Sequence, residues 1–156
     1  MIISSFNIRG LGGSTKLSSL RRLFAGIHLD ILCIQETMTT AAKACSFFLR
    51  LFPGWEVSAT DASGLSGGLL CISNPLVCDL NAFASSAGIL LTGRLCGCSS
   101  EIKLLNVYGP YRDREPFWDR LVRSGLLKDL CLILMGIQTL HCLHRSYGAL
   151  QYGIHL

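Results

Sequence analysis

The stretch DILCIQET, residues 30–37, is the most informative segment for the fold. Four apolar residues stand together between Asp30 and Gln35, and Glu36 follows directly. A short continuous apolar run bounded by polar residues is consistent with a strand that is buried in the interior of a sheet. The stretch therefore predicts a buried strand that ends at a carboxylate.

A β-α-β unit is completed by this strand. Residues 1–6 form a short apolar run that ends at Asn7, and the Gly-rich loop NIRGLGGS follows. From Thr15 to Ile27 apolar residues recur at helical spacing, and Ser14 is the predicted N-cap. A right-handed crossover makes the two strands parallel, so Asn7 and Glu36 are expected at the same edge of the sheet. Ligands of α/β proteins gather at that edge.

The remaining chain predicts one more helix, a series of strands, a third helix and a last strand. The second helix covers residues 41–52 and is stopped by Pro53-Gly54. Strands are predicted in WEVSAT, GGLLCISN, VCDLNAF, GILLTGRLCG and EIKLLNVYGP, with Gly67 and Gly68 serving a turn. The third helix is predicted in REPFWDRLVRSGLL and the last strand in CLILMG; no period continues beyond Gly136. In EIKLLNVY one face carries Ile102, Leu104, Asn106 and Tyr108.

Composition narrows the class of protein. The chain has 156 residues, of which 50% are apolar and 15% charged, so a single folded domain is expected and disorder is not. A net charge of +4 is compatible with a phosphate-bearing partner, but also with neutral ligands. The N-terminus does not read as a signal peptide, and no apolar run is long enough for a transmembrane helix. An intracellular protein, nuclear or cytoplasmic and not secreted or membrane-bound, is therefore expected.

The cysteines favour reduced, buried thiols over disulfides. Most of the eight lie inside apolar runs, and none forms a Cys-x-x-Cys motif. One cluster invites a zinc interpretation, although its spacing matches no common zinc site. It consists of Cys131, His141, Cys142 and His144.

Four polar side chains at predicted strand or helix ends could carry chemistry, and each has an ordinary alternative. Glu36 is either a solvated charge at a sheet edge or a ligand for Mg²⁺, which prefers hard oxygen atoms. Asn7 suits a turn, and Tyr108 suits a half-buried position with its hydroxyl in water. Arg114, at a predicted helix start, either holds a phosphate with two hydrogen bonds or is solvated. Taken singly, none of these residues decides the function.

The order of five motifs along the chain is more specific. SFNIRGLG, DILCIQET, SGGLLCISNP, NVYGPYRDREPFWDRL and LILMG follow one another within residues 1–136. Together they strongly resemble the endonuclease/exonuclease/phosphatase superfamily, and most of all the endonuclease domains of plant LINE-type retrotransposons. The resemblance implies an α/β, DNase I-like fold, here an incomplete four-layer α-β-β-α sandwich. It also implies hydrolysis of phosphodiester or phosphomonoester bonds with Mg²⁺ or Mn²⁺.

The resemblance further implies residue roles, with DNA as the partner. Glu36 is the expected principal metal ligand, and Asn7 is expected to help hold metal and phosphate. Tyr108 is expected to donate a hydrogen bond to the scissile phosphate, and Arg114 to contact it. These roles agree with the chemistry, because a metal and well-aimed donors stabilise the charge that develops when water attacks phosphorus.

The motif pattern breaks directly after Gly136. The superfamily has Gly-Asp-x-Asn after a strand like LIL, whereas this chain has Gly136, Ile137, Gln138 and Thr139. The Asp that orients water or stabilises the leaving group is thus Ile137, and the Asn that binds phosphate is Thr139. The closing Ser-Asp-His segment is also absent, and His155 lacks its context. Loss of one such group costs on the order of 10²–10⁴ in rate, so an inactive chain is expected.

The break is compatible with a single-base deletion. Gly-Asp-Ser-Asn-Thr-Ala-Leu can be encoded so that loss of one G yields Gly-Ile-Gln-Thr-Leu-His-Cys, the sequence of residues 136–142. Residues 145–148 can then be read in the restored frame as Glu-Leu-Trp and the start of a Gly codon, like a string that is frequent in the superfamily. We therefore predict a frameshift, or an equivalent gene-model error, near codon 137. Residues 1–136 form the expected N-terminal part of the domain and residues 137–156 a divergent tail.

Three functional interpretations remain open on the sequence. The first is a C-terminally truncated, inactive relative of a LINE-type, Mg²⁺-dependent endonuclease. The second is a non-catalytic remnant or binding module that keeps a phosphate-contacting basic surface. The third is a Cys/His metal-binding protein without a nucleic-acid partner. For a truncated domain, unpaired strands predict a monomer of marginal stability or an aggregation-prone fragment.

Overall fold

The computed structural model describes residues 1–64, 66–97, 99, 101–109, 114–129 and 132–136. Within these residues three α-helices, one 3₁₀-helix and ten strands are present. The helices are α1 (Ser14–Ala25), α2 (Ala41–Leu51), α3 (Arg114–Arg123) and the 3₁₀-helix Leu126–Lys128. The strands are β1 (Ile3–Asn7), β2 (Ile31–Gln35), β3 (Glu56–Ala59), β4 (Ala62–Ser63), β5 (Ser66–Gly67), β6 (Leu69–Ser73), β7 (Cys78–Ser85), β8 (Gly88–Leu95), β9 (Glu101–Asn106) and β10 (Leu132–Met135).

The first sheet contains the predicted β-α-β unit. Its strand order is β1-β2-β6-β3, and β1 runs parallel to β2 with Asn7 opposite Gln35. Strand β6 is antiparallel to both β2 and β3. Every residue of β2 is fully shielded from solvent, as the apolar run of residues 31–34 predicted.

The second sheet repeats this plan with later parts of the chain. Its order is β10-β9-β8-β7, with β10 parallel to β9 and the other neighbours antiparallel. In both sheets, therefore, a parallel pair stands at one side and antiparallel strands at the other. A third, two-stranded ladder joins β4 to β5.

The two faces of each central strand are buried against different layers. In β2, Leu32 and Ile34 pack against the helices, in a cluster that includes Phe24 of α1 and Phe48 of α2. Ile31 and Cys33 point the other way, into a cluster shared with Leu91 and Leu104 of the second sheet. Burial of both faces explains why the strand reads as one continuous apolar run.

Helix α3 covers the outer face of the second sheet. Phe117, Trp118 and Leu121 pack there against Leu105 and Val107. The layers are therefore α1 and α2, the first sheet, the second sheet, and α3. This order confirms the predicted four-layer α-β-β-α arrangement for the described part of the chain.

Local details differ from prediction in several places. Helix α3 ends at Arg123, and a separate 3₁₀-helix follows Gly125, where one helix was predicted through Leu127. The N-cap of α1 is Gly13, with φ near 90°, and not Ser14, which is the first residue of the helix. Helix α1 ends at Ala25 rather than at Ile27. Strands β4 and β5 were missed, because two-residue strands are too short to show an alternating pattern.

The described cysteines are free thiols. Cys33, Cys71 and Cys78 are buried, as predicted, but Cys96 is exposed. Cys33 and Cys71 face each other on neighbouring strands, with 3.8 Å between their sulfur atoms. None of the described helices is long and apolar enough to cross a bilayer.

Candidate functional site

The backbone after β2 is held between two loops. On one side the N–H groups of Gly10 and Leu11 donate to the carbonyls of Glu36 and Thr37, at 2.6 and 2.9 Å. On the other side the Thr37 N–H donates to Gly68 at 3.0 Å, and the Met38 N–H donates to Gly67 at 3.1 Å. These bonds continue the pairing of β2 with β1 and with β6 beyond the ends of the strands. They hold in place the segment that carries Glu36.

Gly68 allows the close approach of its loop. A Cβ added there would lie 2.2 Å from Oγ1 of Thr37, and the φ angle of +77° is itself unfavourable for other residues. Thr37 is fully buried, and its hydroxyl has no hydrogen-bond partner among the described residues. Gly67 and Gly68 were predicted only as turn residues, whereas here they pair with the segment that carries Glu36.

The carboxylate of Glu36 leaves the regular alternation of β2. Glu36 has a φ of 55°, in the left-handed region that a non-glycine residue occupies at a cost of about 1–3 kcal/mol. Its side chain is only 5% exposed. Oε1 of Glu36 accepts a hydrogen bond from the hydroxyl of Tyr108, which stands beyond the end of β9 in the second sheet. The strained backbone thus brings a carboxylate to the seam between the two sheets.

Asn7 ends the neighbouring parallel strand. Its side-chain oxygen accepts a hydrogen bond from the backbone N–H of Arg9, at 3.1 Å, which shapes the start of the glycine-rich loop. Lys16 of α1 reaches the same loop, and its ammonium donates to the carbonyls of Ile8 and Arg9 at 2.9 and 3.0 Å. A positive charge is thereby fixed beside Asn7.

A buried polar network lies directly beneath Glu36 and Tyr108. Gln35 and Asn106 are fully shielded from solvent, and the amide of Gln35 donates to the side-chain oxygen of Asn106 at 2.6 Å. Asn106 was predicted on the same strand face as Tyr108, without a role of its own. Its position on the buried face of an apolar run was the signal that could have indicated a role, because burial of an amide is costly unless the amide is hydrogen-bonded.

Not every predicted site residue falls within the described structure. Asn7, Glu36 and Tyr108 do, at the ends of β1, β2 and β9. Arg114 is the first residue of α3, as predicted, but its side chain is not among those described. Ile137 and Thr139 and the proposed zinc cluster lie outside the described residues.

The donor set suits a hard divalent cation with an open coordination shell. Among the described residues no three His, Cys, Asp or Glu side chains cluster, so a fully protein-ligated metal site is not found there. Mg²⁺ commonly uses one or two carboxylates and completes its shell with water and phosphate oxygens. Glu36, with the amide oxygen of Asn7 on the adjacent strand, provides donors of that type.

Two of the described buried thiols have raised pKa values. The hydrogen bond between Cys33 and Cys71, together with burial, raises the pKa of Cys33 well above its usual value. Burial likewise raises the pKa of Cys78, to about 11. Metals bind the thiolate form, so a raised pKa disfavours metal binding by these two thiols.

Sequence comparisons place the chain in no family. No family model matches it, and no curated protein is similar enough to count as a match.

Solved structures, in contrast, match its fold. An AP endonuclease from Leishmania major superimposes with a TM-score of 0.65 at 16% identity, over 86% of this chain and 54% of that one. The 3′ phosphatase NExo from Neisseria, bound to a product DNA hairpin, gives 0.61 at 21% identity, over 86% and 56%. The endonuclease domain of TRAS1, a telomere-specific non-LTR retrotransposon, gives 0.58 at 15% identity, over 86% and 58%.

These matches establish a DNase I-like fold for the described part of the chain. At 15–21% identity they show the fold alone. The chain spans little more than half the length of each of these structures.

Proposed function

We propose that Asn7, Glu36 and Tyr108 form the metal- and phosphate-binding part of a DNA endonuclease site of the LINE retrotransposon type. We further propose that the chain as written binds DNA phosphate but hydrolyses it negligibly. The observation that supports the site most is the hydrogen bond from Tyr108 to Glu36. This bond joins the end of β2 in the first sheet to the end of β9 in the second. Strand β1, which ends at Asn7, lies beside β2.

Each residue has a distinct part in this proposal. Glu36, assisted by the amide oxygen of Asn7, would hold Mg²⁺ or Mn²⁺. The bound cation stabilises negative charge on phosphate oxygens during attack by water. The Tyr108 hydroxyl is a donor that can turn to a phosphate oxygen, and its bond to Glu36 keeps it near the cation site in the absence of substrate.

The positive charge of Lys16 beside the site favours an anionic ligand. Lys16 fixes a positive charge at the loop after β1 through its bonds to two carbonyls. Glu36 is the only carboxylate among the proposed site residues, so a phosphate and a divalent cation together balance its charge. Basic groups at such a site supply salt-dependent, sequence-independent affinity for a DNA backbone.

Negligible hydrolysis is proposed because of residues 137 and 139. Ile137 has no group to orient water, and Thr139 lacks the amide expected to bind phosphate. Removal of one such group usually lowers the rate by about 10²–10⁴, and losses within one site are not additive. The Mg²⁺-dependent binding of phosphate needs neither residue in this proposal.

Fluorescence anisotropy with a labelled DNA hairpin tests the binding half of the proposal. Mg²⁺ is expected to strengthen binding, and Glu36→Gln is expected to remove that gain. Tyr108→Phe is expected to weaken Mg²⁺-dependent binding by about tenfold, the effect of one hydrogen bond to a charged group. Asp79→Asn, on the exposed side of β7, is the matched control and should change nothing. Equal Mg²⁺ dependence in the parent and Glu36→Gln would contradict the site.

A plasmid-nicking assay with Mg²⁺ tests the catalytic half. No nicking above background is expected for the parent chain. Nicking that disappears in Glu36→Ala would support the site and overturn the claim of inactivity. Nicking that survives in Glu36→Ala would indicate a contaminating nuclease, and leaves the expected absence of intrinsic activity in place.

A further inference from the structure

Two fully buried amides connect the sheets directly below the site. Gln35 ends β2 in the first sheet, and Asn106 ends β9 in the second. Nε2 of Gln35 donates to Oδ1 of Asn106 at 2.6 Å and to Oγ of Ser5, on β1, at 2.9 Å. Three strands from two sheets thus share one hydrogen-bond network.

The amide nitrogen of Asn106 is anchored in the opposite sheet. It donates to the backbone carbonyls of Ile34 and Leu70, at 3.2 and 3.1 Å. These two residues are directly paired across β2 and β6. A side chain from the second sheet therefore inserts between two strands of the first and bonds to both. All its polar atoms are satisfied, which is the condition under which a buried polar network rigidifies its surroundings.

Apolar packing alone does not determine how the sheets align along their strands. The surrounding contacts, such as those between Cys33, Leu91 and Leu104, are non-directional and tolerate small shifts. Hydrogen bonds weaken steeply when distance or angle changes, so the amide network selects one alignment. Glu36 follows Gln35 in the chain, and Tyr108 is two residues beyond Asn106, so the same alignment decides whether carboxylate and hydroxyl meet.

We propose that Gln35 and Asn106 are positioning residues that hold Glu36 and Tyr108 at bonding distance across the seam between the sheets. The use of that geometry for phosphate and cation rests on the proposed function, but the positioning itself does not. The network acts through Glu36 and Tyr108, because both amides are buried and out of reach of a ligand.

A pair of apolar substitutions separates positioning from stability. Gln35→Met with Asn106→Leu removes both amides and replaces each by an apolar side chain of similar shape. Replacement of both partners of a buried polar pair costs less stability than removal of one, which leaves the other unsatisfied. The Ser5 hydroxyl and the carbonyls of Ile34 and Leu70 also lose a bond each in the double variant, so a moderate loss of stability is expected. The double variant is still expected to remain folded, with looser alignment of the sheets.

The readout is the NMR signal of the Tyr108 ring in protein carrying ¹³C-labelled tyrosine, assigned by its loss in Tyr108→Phe. In the parent, Glu36→Gln is expected to shift this signal, since it replaces the acceptor of the Tyr108 hydrogen bond. In the Gln35→Met/Asn106→Leu background the same change is expected to produce no shift. Leu104→Met, a volume-conserving change in the same inter-sheet cluster, is the control and should preserve the shift.

A Tyr108 signal that still responds fully to Glu36→Gln in the folded double variant overturns the proposal. If the double variant does not fold, Gln35→Met alone is used, since it leaves the bonds of Asn106 to Ile34 and Leu70 in place. A reduced response is then expected, and an unchanged one overturns the proposal. No metal or DNA is present in these experiments, so failure of the proposed function appears separately, in the binding assays.

Discussion

At the scale of single residues, the pair Gly68 and Thr37 shows how the site loops are fitted together. A Cβ atom at position 68 would lie 2.2 Å from the buried hydroxyl oxygen of Thr37, which is too close for any residue but glycine. A left-handed φ adds a second reason for glycine there.

Gly68→Ala is expected to lower the free energy of unfolding by about 2–4 kcal/mol, through overpacking and backbone strain. Gly64→Ala is the matched control, because Gly64 has a φ of +63° but open space at its Cβ position. It should cost only about 1 kcal/mol. Urea denaturation of both variants gives the comparison. If Thr37→Ala does not relieve part of the cost of Gly68→Ala, the contact assigned here is wrong.

Cys78 provides a pH-dependent prediction. It is 1% exposed, and burial raises its pKa from 9.0 to about 11, with the charge of Asp30 adding to the effect. Between these values the thiol ionises in the unfolded chain while it stays protonated in the folded one. Its contribution to stability is therefore complete below pH 9 and is lost as the pH rises toward 11.

The difference in unfolding free energy between the parent and Cys78→Ala is expected to shrink over that pH range, by at most about 2–3 kcal/mol. Subtraction of the variant removes the contributions of the other titrating groups. A difference that stays constant from pH 8 to pH 11 would show that the folded-state thiol titrates normally.

At the scale of elements, the sequence predicted which side chains share one face of a strand, but it did not predict which residues those side chains contact. Ile102, Leu104, Asn106 and Tyr108 were predicted to share a face, and they do line the seam between the sheets. The partner of Asn106 lies 71 residues earlier in the chain, and only the stacking of the two sheets brings it near. No local pattern contains that information.

The backbone conformation of Glu36 could not be predicted from the sequence either. Regular alternation would aim its side chain at the helices, on the side of Leu32 and Ile34. The positive φ of Glu36 redirects its side chain. Backbone hydrogen bonds hold this conformation: Gly10 donates to the carbonyl of Glu36, and the two residues after Glu36 donate to the Gly67–Gly68 loop. Strain of this kind depends on tertiary contacts, so the sequence predicted the strand end but not the aim of the carboxylate.

The packing of α2 on the first sheet gives a stability prediction. Phe48 is fully buried, and its ring meets the ring of Phe47 edge-on, with 5.0 Å between their centroids. Phe48→Ala is expected to cost about 3–5 kcal/mol, the sum of lost apolar burial and a cavity. Phe83→Ala removes the same side chain from β7, where it is 60% exposed, and should cost less than about 1 kcal/mol. Similar unfolding midpoints for the two variants would contradict the assigned core.

At the scale of the whole molecule, the layered fold was predicted through the family resemblance that the sequence motifs carry, and these motifs fall where the strands end. Asn7, Glu36 and Tyr108 close β1, β2 and β9, whose ends lie together. The break at Ile137 follows β10, the edge strand of the second sheet in the described part of the chain. The motif order indicated the architecture, whereas the proposed lack of hydrolysis rests on residues 137 and 139, which lie outside the described residues.

The nucleotide sequence around codon 137 tests the origin of that break. One inserted base is expected to restore Gly-Asp-x-Asn and, further on, an acidic-x-Trp-Gly string. Resequencing of the coding DNA and its transcript checks this directly. If no single-base insertion near codon 137 restores the motif, the frameshift hypothesis fails and Ile137 is an ordinary substitution.

The most direct test of the proposed site is the response of the ¹⁵N-labelled protein to Mn²⁺, which broadens the NMR signals of nearby amides. Substoichiometric Mn²⁺ is expected to broaden the amides of residues 7–10 and 36–38 first, since the proposed ligands Asn7 and Glu36 lie there. The same addition to Glu36→Gln should leave those signals sharp. Broadening that is scattered over exposed carboxylates, or that persists around residue 36 in the variant, would contradict a metal- and phosphate-binding site at the seam of the two sheets.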